Sequence, residues 1–161
     1  MSKGRLLIVP LLFAVFAGAA LGGSTASRGI AVRGPGTIGD APDPTGGPLL
    51  VNFDKPAKCA LYRHGKFFTL RAVKGGRELG LHINGYFGPH LYDIDYGDPA
   101  GGVSYRDGHG FFATTYAEPA EYDSLSGWIQ VNRNRTVFVR TVAFRHGTDR
   151  FVYIFGVIRC A

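Results

Sequence analysis

Two aspartates spaced two residues apart form the clearest candidate pair for chemistry in this 161-residue sequence. Asp93 and Asp95 lie in an alternating run that predicts a strand, with both carboxylates on one face and about 6.6 Å apart. That separation fits an inverting glycosidase, so a small secreted hydrolase using Asp93 and Asp95 is one hypothesis. With Asp98 they form an Asp-x-Asp-x-x-Asp cluster, a candidate for calcium. A solvent-facing strand explains the same residues without a metal, and we favour that interpretation.

Other residue types indicate no reaction. The five histidines (His64, His82, His90, His109 and His146) show no metal-ligand spacing. The sequence contains no nucleophile elbow and no phosphate-binding loop. We therefore predict no catalytic residue, no bound metal and no cofactor, and we expect the protein to act by binding and not as an enzyme.

The longest predicted loop, residues 117–127, offers candidate binding residues. Tyr116 and Tyr122 lie on or beside it, and Trp128 follows directly. Exposed aromatic side chains suit a glycan or a protein partner, although they could also cap the end of the domain. The same loop is the only candidate for a third hypothesis, a secreted enzyme inhibitor.

The N-terminus predicts export. Lys3 and Arg5 precede an apolar run over residues 6–20, and small residues follow as far as Ala26. This order is typical of a signal peptide, which we place at residues 1–26, and the apolar run is too short for a membrane anchor. Ser24 stands where a bacterial lipoprotein would carry its lipid-bearing cysteine. We expect a protein that is secreted or on the exterior of the cell envelope, without stable membrane insertion after signal cleavage.

Residues 27–47 are rich in glycine and proline and contain few large apolar side chains. A segment of this kind buries too little surface to offset its ordering entropy. We therefore interpret it as a flexible leader, which is either a tether or a processed pro-segment.

The chain has two cysteines, Cys59 and Cys160. In an oxidising compartment an even count predicts a disulfide, here with a single internal connectivity. The bond would close a loop of 100 residues, and loop-closure entropy then contributes about 4.7 kcal/mol at most.

Residues 48–161 form the predicted domain and hold every aromatic residue except Phe13 and Phe16. Short runs of aromatic and β-branched residues, broken by turn signals, predict an all-β domain. We expect an antiparallel β-sandwich of roughly 8–10 short strands, with a β-trefoil or small barrel as the alternative. The last strand is apolar on both faces, which indicates a central position in the sheet. The predicted strands are residues 49–53, 59–63, 66–73, 78–83, 91–96, 103–106, 111–116, 127–133, 136–144 and 151–160.

One short pattern, aromatic-Arg-polar-Gly, occurs three times at predicted strand ends. It begins at Tyr62, Tyr105 and Phe144. A polar residue followed by glycine favours the tight turn of a hairpin, which explains the pattern structurally. The alternatives are a basic rim formed by these turns, or three internal repeats.

The formal net charge is +6, and residues 48–161 carry 14 basic and 10 acidic residues. Because the basic residues are dispersed along the chain, we expect no nucleic-acid partner. We expect a protein or glycan partner outside the cell or at the envelope, and the charge could aid adhesion to an anionic envelope.

The export signal, the small β domain and the final strand, which runs from Phe151 to Cys160 and is followed by one more residue, resemble those of the mycobacterial LpqH-type lipoprotein antigens. The resemblance covers the outline of the domain and, in detail, only the last strand. It implies a bacterial, non-enzymatic surface antigen or released protein without catalytic residues. Ser24 departs from that family's pattern because it replaces the lipidated cysteine.

Overall fold

The computed structural model describes residues 29–35, 37–38, 41–42, 47–94, 101–114, 127–148 and 150–161. The described residues form β-strands joined by turns and contain no α-helix. In chain order the strands are β1 Gly29–Arg33, β2 Thr37–Ile38, β3 Ala41–Pro42, β4 Leu49–Phe53, β5 Lys58–Tyr62, β6 Phe67–Lys74, β7 Arg77–Asn84, β8 Leu91–Ile94, β9 Gly101–Asp107, β10 Gly110–Ala113, β11 Gly127–Val131, β12 Thr136–Arg145 and β13 Phe151–Arg159.

Eleven of these strands form one antiparallel sheet. Nine of them follow the order β4-β1-β13-β12-β10-β9-β7-β6-β5, and the other two, β11 and β8, form a branch. The long strand β12 is the branch point. Its first half pairs with β11, which in turn pairs with β8, and its second half pairs with β10. The sheet therefore has two arms that share β12, and β2 and β3 form a separate hairpin.

The disulfide shows that the sheet curves back on itself. Cys59 and Cys160 are bonded, with their Cα atoms 5.4 Å apart. Cys59 lies on β5, an edge strand six positions from β13 in the sheet order, so in a flat sheet the two strands would be about 29 Å apart. An isolated parallel bridge from Ala57 to Cys160 joins the same two regions.

The curvature encloses the main core, and a smaller cluster of Val142, Phe144 and Tyr153 lies on the opposite face of β12 and β13. In β7, buried Leu79, Leu81 and Ile83 alternate with less buried residues, as expected when a strand has one face on the core. Both arms contribute to a single buried cluster that includes Ile30, Leu70 and Ile129. The predicted fold class, an antiparallel all-β domain with one disulfide, is confirmed. The central position predicted for the last strand is also confirmed, because β13 lies between β1 and β12.

Each of the ten predicted strands overlaps an observed one. The three aromatic-Arg-polar-Gly runs lie at hairpin turns, between β5 and β6, β9 and β10, and β12 and β13. Gly65 and Gly147 have φ angles of 82° and 67° in two of these turns, which is the conformation that glycine adopts without steric cost.

The predicted flexible leader is wrong for residues 29–33. This segment is strand β1, which pairs with both β13 and β4, and its Ile30 and Val32 are completely buried. The prediction failed because glycines and prolines surround this short apolar segment. The strands that pair with it are distant in sequence, so the local composition does not indicate a strand. The folded domain therefore includes residues before Pro48. The predicted signal peptide at residues 1–26 lies outside the described residues, which themselves contain no helix with the length and hydropathy of a membrane span.

Candidate functional site

A groove lies on the face of strands β5, β6, β7 and β9 that points away from the core. Its volume is about 530 Å³. From the strand spacing, its floor is about 14 Å across the four strands. Side chains that line it include Lys58, Tyr62, Thr69, Arg71, Glu78, His82 and Ser104.

Small residues create the depression. Gly80 and Ser104 face each other across β7 and β9, and a Cβ atom at residue 80 would lie 2.7 Å from the hydroxyl of Ser104. Gly102, one pair further along the same face, leaves room for the hydroxyl of Thr114. The middle of the floor is consequently low, while longer side chains stand around it.

Aromatic rings form one end of the groove. The ring centroids of Tyr62 and Phe67 are 6.3 Å apart, and those of Phe67 and His82 are 6.2 Å apart. The guanidinium of Arg63 lies over the Phe67 ring, 5.6 Å from its centroid, in a cation–π contact. Tyr62 is 55% exposed, so a large ring surface faces solvent.

An ion pair forms the opposite end. Arg71 donates two hydrogen bonds of 2.8 Å to Glu78, one to each carboxylate oxygen. These bonds hold the pKa of the Glu78 carboxyl below its ordinary value and raise that of the Arg71 guanidinium. The pair is therefore charged at neutral pH but has no net charge, and both residues line the groove.

The arrangement suits a ligand with an apolar face and many hydroxyl groups. An exposed ring can stack on the C–H face of a sugar, and fixed donors and acceptors can bond its hydroxyl groups. Among the described residues there is no group of three or more metal-ligating side chains.

A second feature is the loop between β7 and β8, whose aromatic rings pack on one another. Phe87 lies 5.2 Å from Tyr92 and 4.8 Å from His90, measured between ring centroids. The Tyr92 hydroxyl donates to the Gly88 carbonyl at 2.6 Å and accepts from the Phe87 amide at 3.2 Å. These contacts fix the loop, yet Phe87 remains 70% exposed.

The structure places two of the residues singled out from the sequence on the other arm of the sheet. Trp128 on β11 is half-buried on the outer face, paired with Asp93 of β8 and Arg140 of β12. Asp93 is exposed. Neither residue lies in the groove.

The remaining candidates, Asp95, Asp98, Tyr116, Tyr122 and most of loop 117–127, lie outside the described residues. The calcium, inhibitor and loop-binding hypotheses that involve them therefore stay predictions.

Sequence reasoning missed the groove. The sequence patterns place Tyr62 at a strand end and assign no binding role to His82, Arg71 or Glu78. The available signal was the two-residue alternation of β6 and β7, which places Thr69, Arg71, Glu78 and His82 on one face. Comparison of the chain with protein-family models, curated proteins and solved structures finds no match.

Proposed function

We propose that this protein is a non-enzymatic binding protein that acts outside the cytoplasm, and that its groove binds a neutral glycan chain. The observation that carries the proposal is the groove itself, with the exposed ring of Tyr62 at one end and a charge-balanced ion pair at the other. A ligand without strong charge fits because Arg71 and Glu78 neutralise each other, which leaves Lys58 as the remaining Lys, Arg, Asp or Glu residue of the lining. The resemblance to the LpqH-type antigens and the predicted export signal agree with a binding role at the cell exterior.

Isothermal titration with a panel of neutral oligosaccharides tests this function. The panel contains malto-, cello-, chito- and manno-oligosaccharides, and the protein is the oxidised chain without residues 1–26. We expect at least one series to bind, and Tyr62→Ala to weaken that binding about tenfold through loss of the stacking surface.

The matched control is Phe138→Ala. This residue is an exposed ring, 37% accessible, on β12 and away from the groove. We expect its removal to leave binding unchanged. Failure of all four series to bind, or an equal loss in Tyr62→Ala and Phe138→Ala, would contradict the proposal.

The aromatic loop favours a second candidate, a protein partner. Phe87 is exposed, but its backbone is fixed by the hydroxyl of Tyr92, and an exposed aromatic anchor of this kind is typical of interface hot spots. Capture of one protein from the native envelope by the wild type and not by Phe87→Ala, with oligosaccharide binding absent, would favour this candidate.

A further inference from the structure

Three hairpin turns meet at the end of the sheet opposite the exposed Tyr62 ring. They connect β6 to β7, β9 to β10, and β12 to β13. The strand register makes them neighbours, because Glu78 pairs with Arg106 and Phe112 pairs with Arg145. The turns therefore follow one another along about 24 Å of the sheet's end. Two of the three aromatic-Arg-polar-Gly runs are among them.

We call this end the turn row. It is rich in basic residues, and all three turns contribute. They are Lys74 and Arg77 in the first turn, Arg106 and His109 in the second, and Arg145, His146 and Arg150 in the third.

Few acidic side chains of the described residues pair with the lysine and arginines of this row. Lys74 bonds Asp54 at 2.9 Å. Asp107 accepts hydrogen bonds from the Tyr105 hydroxyl and from the amides of His109 and Gly110, which occupy its oxygens.

Four arginines (Arg77, Arg106, Arg145 and Arg150) form no ion pair with another residue in the part of the chain that the structure describes. Asp149 belongs to the third turn by sequence and lies outside the described residues. Even counting Asp149 and Asp107, the four arginines leave a net charge of +2.

Two of the guanidinium groups are held in place. Arg106 lies over the ring of Phe111, 5.3 Å from its centroid. Arg145 reaches from the third turn to the second, where its guanidinium carbon lies 3.2 Å from the position that a Cβ atom on Gly110 would occupy. Gly110 thus leaves room for Arg145 beside the second turn. By strand register Arg145 shares the core-side face with Phe112, whereas Arg106 shares the outer face with Phe111, so the two arginines lie on opposite faces of the sheet's end.

We propose that the turn row binds the repeated phosphoryl groups of an anionic polymer. Arginine suits this ligand because its planar fork donates two parallel hydrogen bonds to a phosphoryl group. The arginines are spread along the sheet's end and over both of its faces, so one small anion would contact only part of the row, whereas a flexible polymer with regularly spaced charges can wrap this end and contact arginines of all three turns. This site is separate from the groove and does not depend on the proposed glycan function.

The test measures binding of fluorescently labelled inorganic polyphosphate by anisotropy, using the oxidised chain without residues 1–26. We expect binding at low salt and a steep loss of affinity as salt is added. Binding releases the counterions condensed on the polyphosphate, and a higher salt concentration opposes that release. The double variant Arg106→Gln/Arg150→Gln removes two exposed cations and should bind at least about tenfold more weakly. The matched control is Arg133→Gln/Arg135→Gln, which removes the same charge from the exposed turn at the other end of β12.

A loss confined to the first double variant supports the proposal. An equal loss in both variants would show that net charge alone causes binding, and would overturn it. Poly-glutamate of matched length should bind more weakly, and equal affinity would overturn the preference for phosphoryl groups. Binding to phosphatidylglycerol vesicles without binding to polyphosphate would assign the row to a membrane surface, and would also overturn the proposal. Near-ultraviolet circular dichroism of each variant verifies that it is folded.

Discussion

Tyr105 is the largest completely buried side chain among the described residues. Its hydroxyl donates to Asp107 at 3.2 Å. Burial of the phenol, followed by the negative charge of Asp107, raises the pKa of Tyr105 to about 12. A single residue therefore joins the core of one arm to the second turn of the turn row.

The raised pKa predicts a loss of stability in strong alkali. A group with a raised folded-state pKa binds its proton more tightly when folded, so its stabilisation is complete below its unfolded pKa of about 10 and is lost above it. We expect the free energy of unfolding to fall as the pH rises from about 10 to about 12. Urea unfolding at a series of pH values measures this decrease.

Tyr105→Phe provides the comparison. It removes the ionisable hydroxyl and should lower stability by about 1 kcal/mol at neutral pH, through loss of the hydrogen bond. Above pH 10, the free energy of unfolding of Tyr105→Phe should decrease less than that of the wild type. A decrease of equal size in both proteins would show that other groups control the alkaline transition.

At the scale of single elements, local patterning located the strands within residues 48–161 but not β1. Alternation in β7 and the apolar run of β13 are strong local signals. The five residues Gly29–Arg33 are too few for such a signal, and their neighbours are glycines and prolines. What makes them a strand is pairing with β13 and β4, which lie more than 100 and about 20 residues away in sequence. Single-sequence patterns contain no information on such pairings.

Removal of β1 is expected to prevent stable folding. Ile30 and Val32 are completely buried, and loss of two such side chains costs about 3–6 kcal/mol. Much of the 5–15 kcal/mol stability of a typical domain would therefore be lost. A chain that begins at Pro48 should show no cooperative urea transition, whereas one that begins at Ser27 should show one. Equal stability of the two chains would restore the interpretation of this segment as a leader.

Gly156 permits the close contact between β13 and β1. Its φ angle is 133°, and a Cβ atom there would overlap the carbonyl oxygen of Gly29 and lie 3.1 Å from the Cα of Ile30. Both contacts are with backbone that β4 holds from the other side. We therefore expect Gly156→Ala to destabilise the domain by about 2–4 kcal/mol, measured by urea unfolding.

Gly108→Ala is the matched control for this substitution. Gly108 has open space around its Cβ position and no left-handed φ angle. We expect its replacement to change stability by less than about 0.5 kcal/mol. A similar cost at both positions would argue that neither the contact with Gly29 nor the φ angle of Gly156 matters.

At the scale of the whole molecule, composition and cysteine count predicted the fold class and the covalent closure, because these depend on the chain as a whole. The groove could not be predicted in the same way. It combines alternate residues of four strands, so Tyr62 and Ser104 share a surface although 42 positions separate them in sequence. Only the strand order and register, which local sequence does not determine, bring them to one face. The turn row depends on the same register, since its arginines come from three separate hairpins.

The disulfide stabilises the domain by restricting the unfolded chain. It connects residues 101 positions apart, and it joins edge strand β5 to the end of β13 across the opening of the curved sheet. We expect Cys59→Ser/Cys160→Ser to lower the free energy of unfolding by up to about 4.7 kcal/mol, the limit set by loop-closure entropy. Urea unfolding of the oxidised protein, the reduced protein and the double variant measures this difference.

Reduced wild type and the double variant should agree, because both lack the same restriction. The turns of the turn row lie in hairpins whose strands pair directly with each other. The molecules that remain folded without the disulfide should therefore still bind polyphosphate. The groove includes Cys59 and the edge strand β5, so oligosaccharide binding should weaken more than polyphosphate binding. Equal stability of the oxidised protein and the double variant would show that the disulfide does not stabilise the domain by restricting the unfolded chain. Pairing of β5 with β6 would then be what holds the edge strand β5 in place.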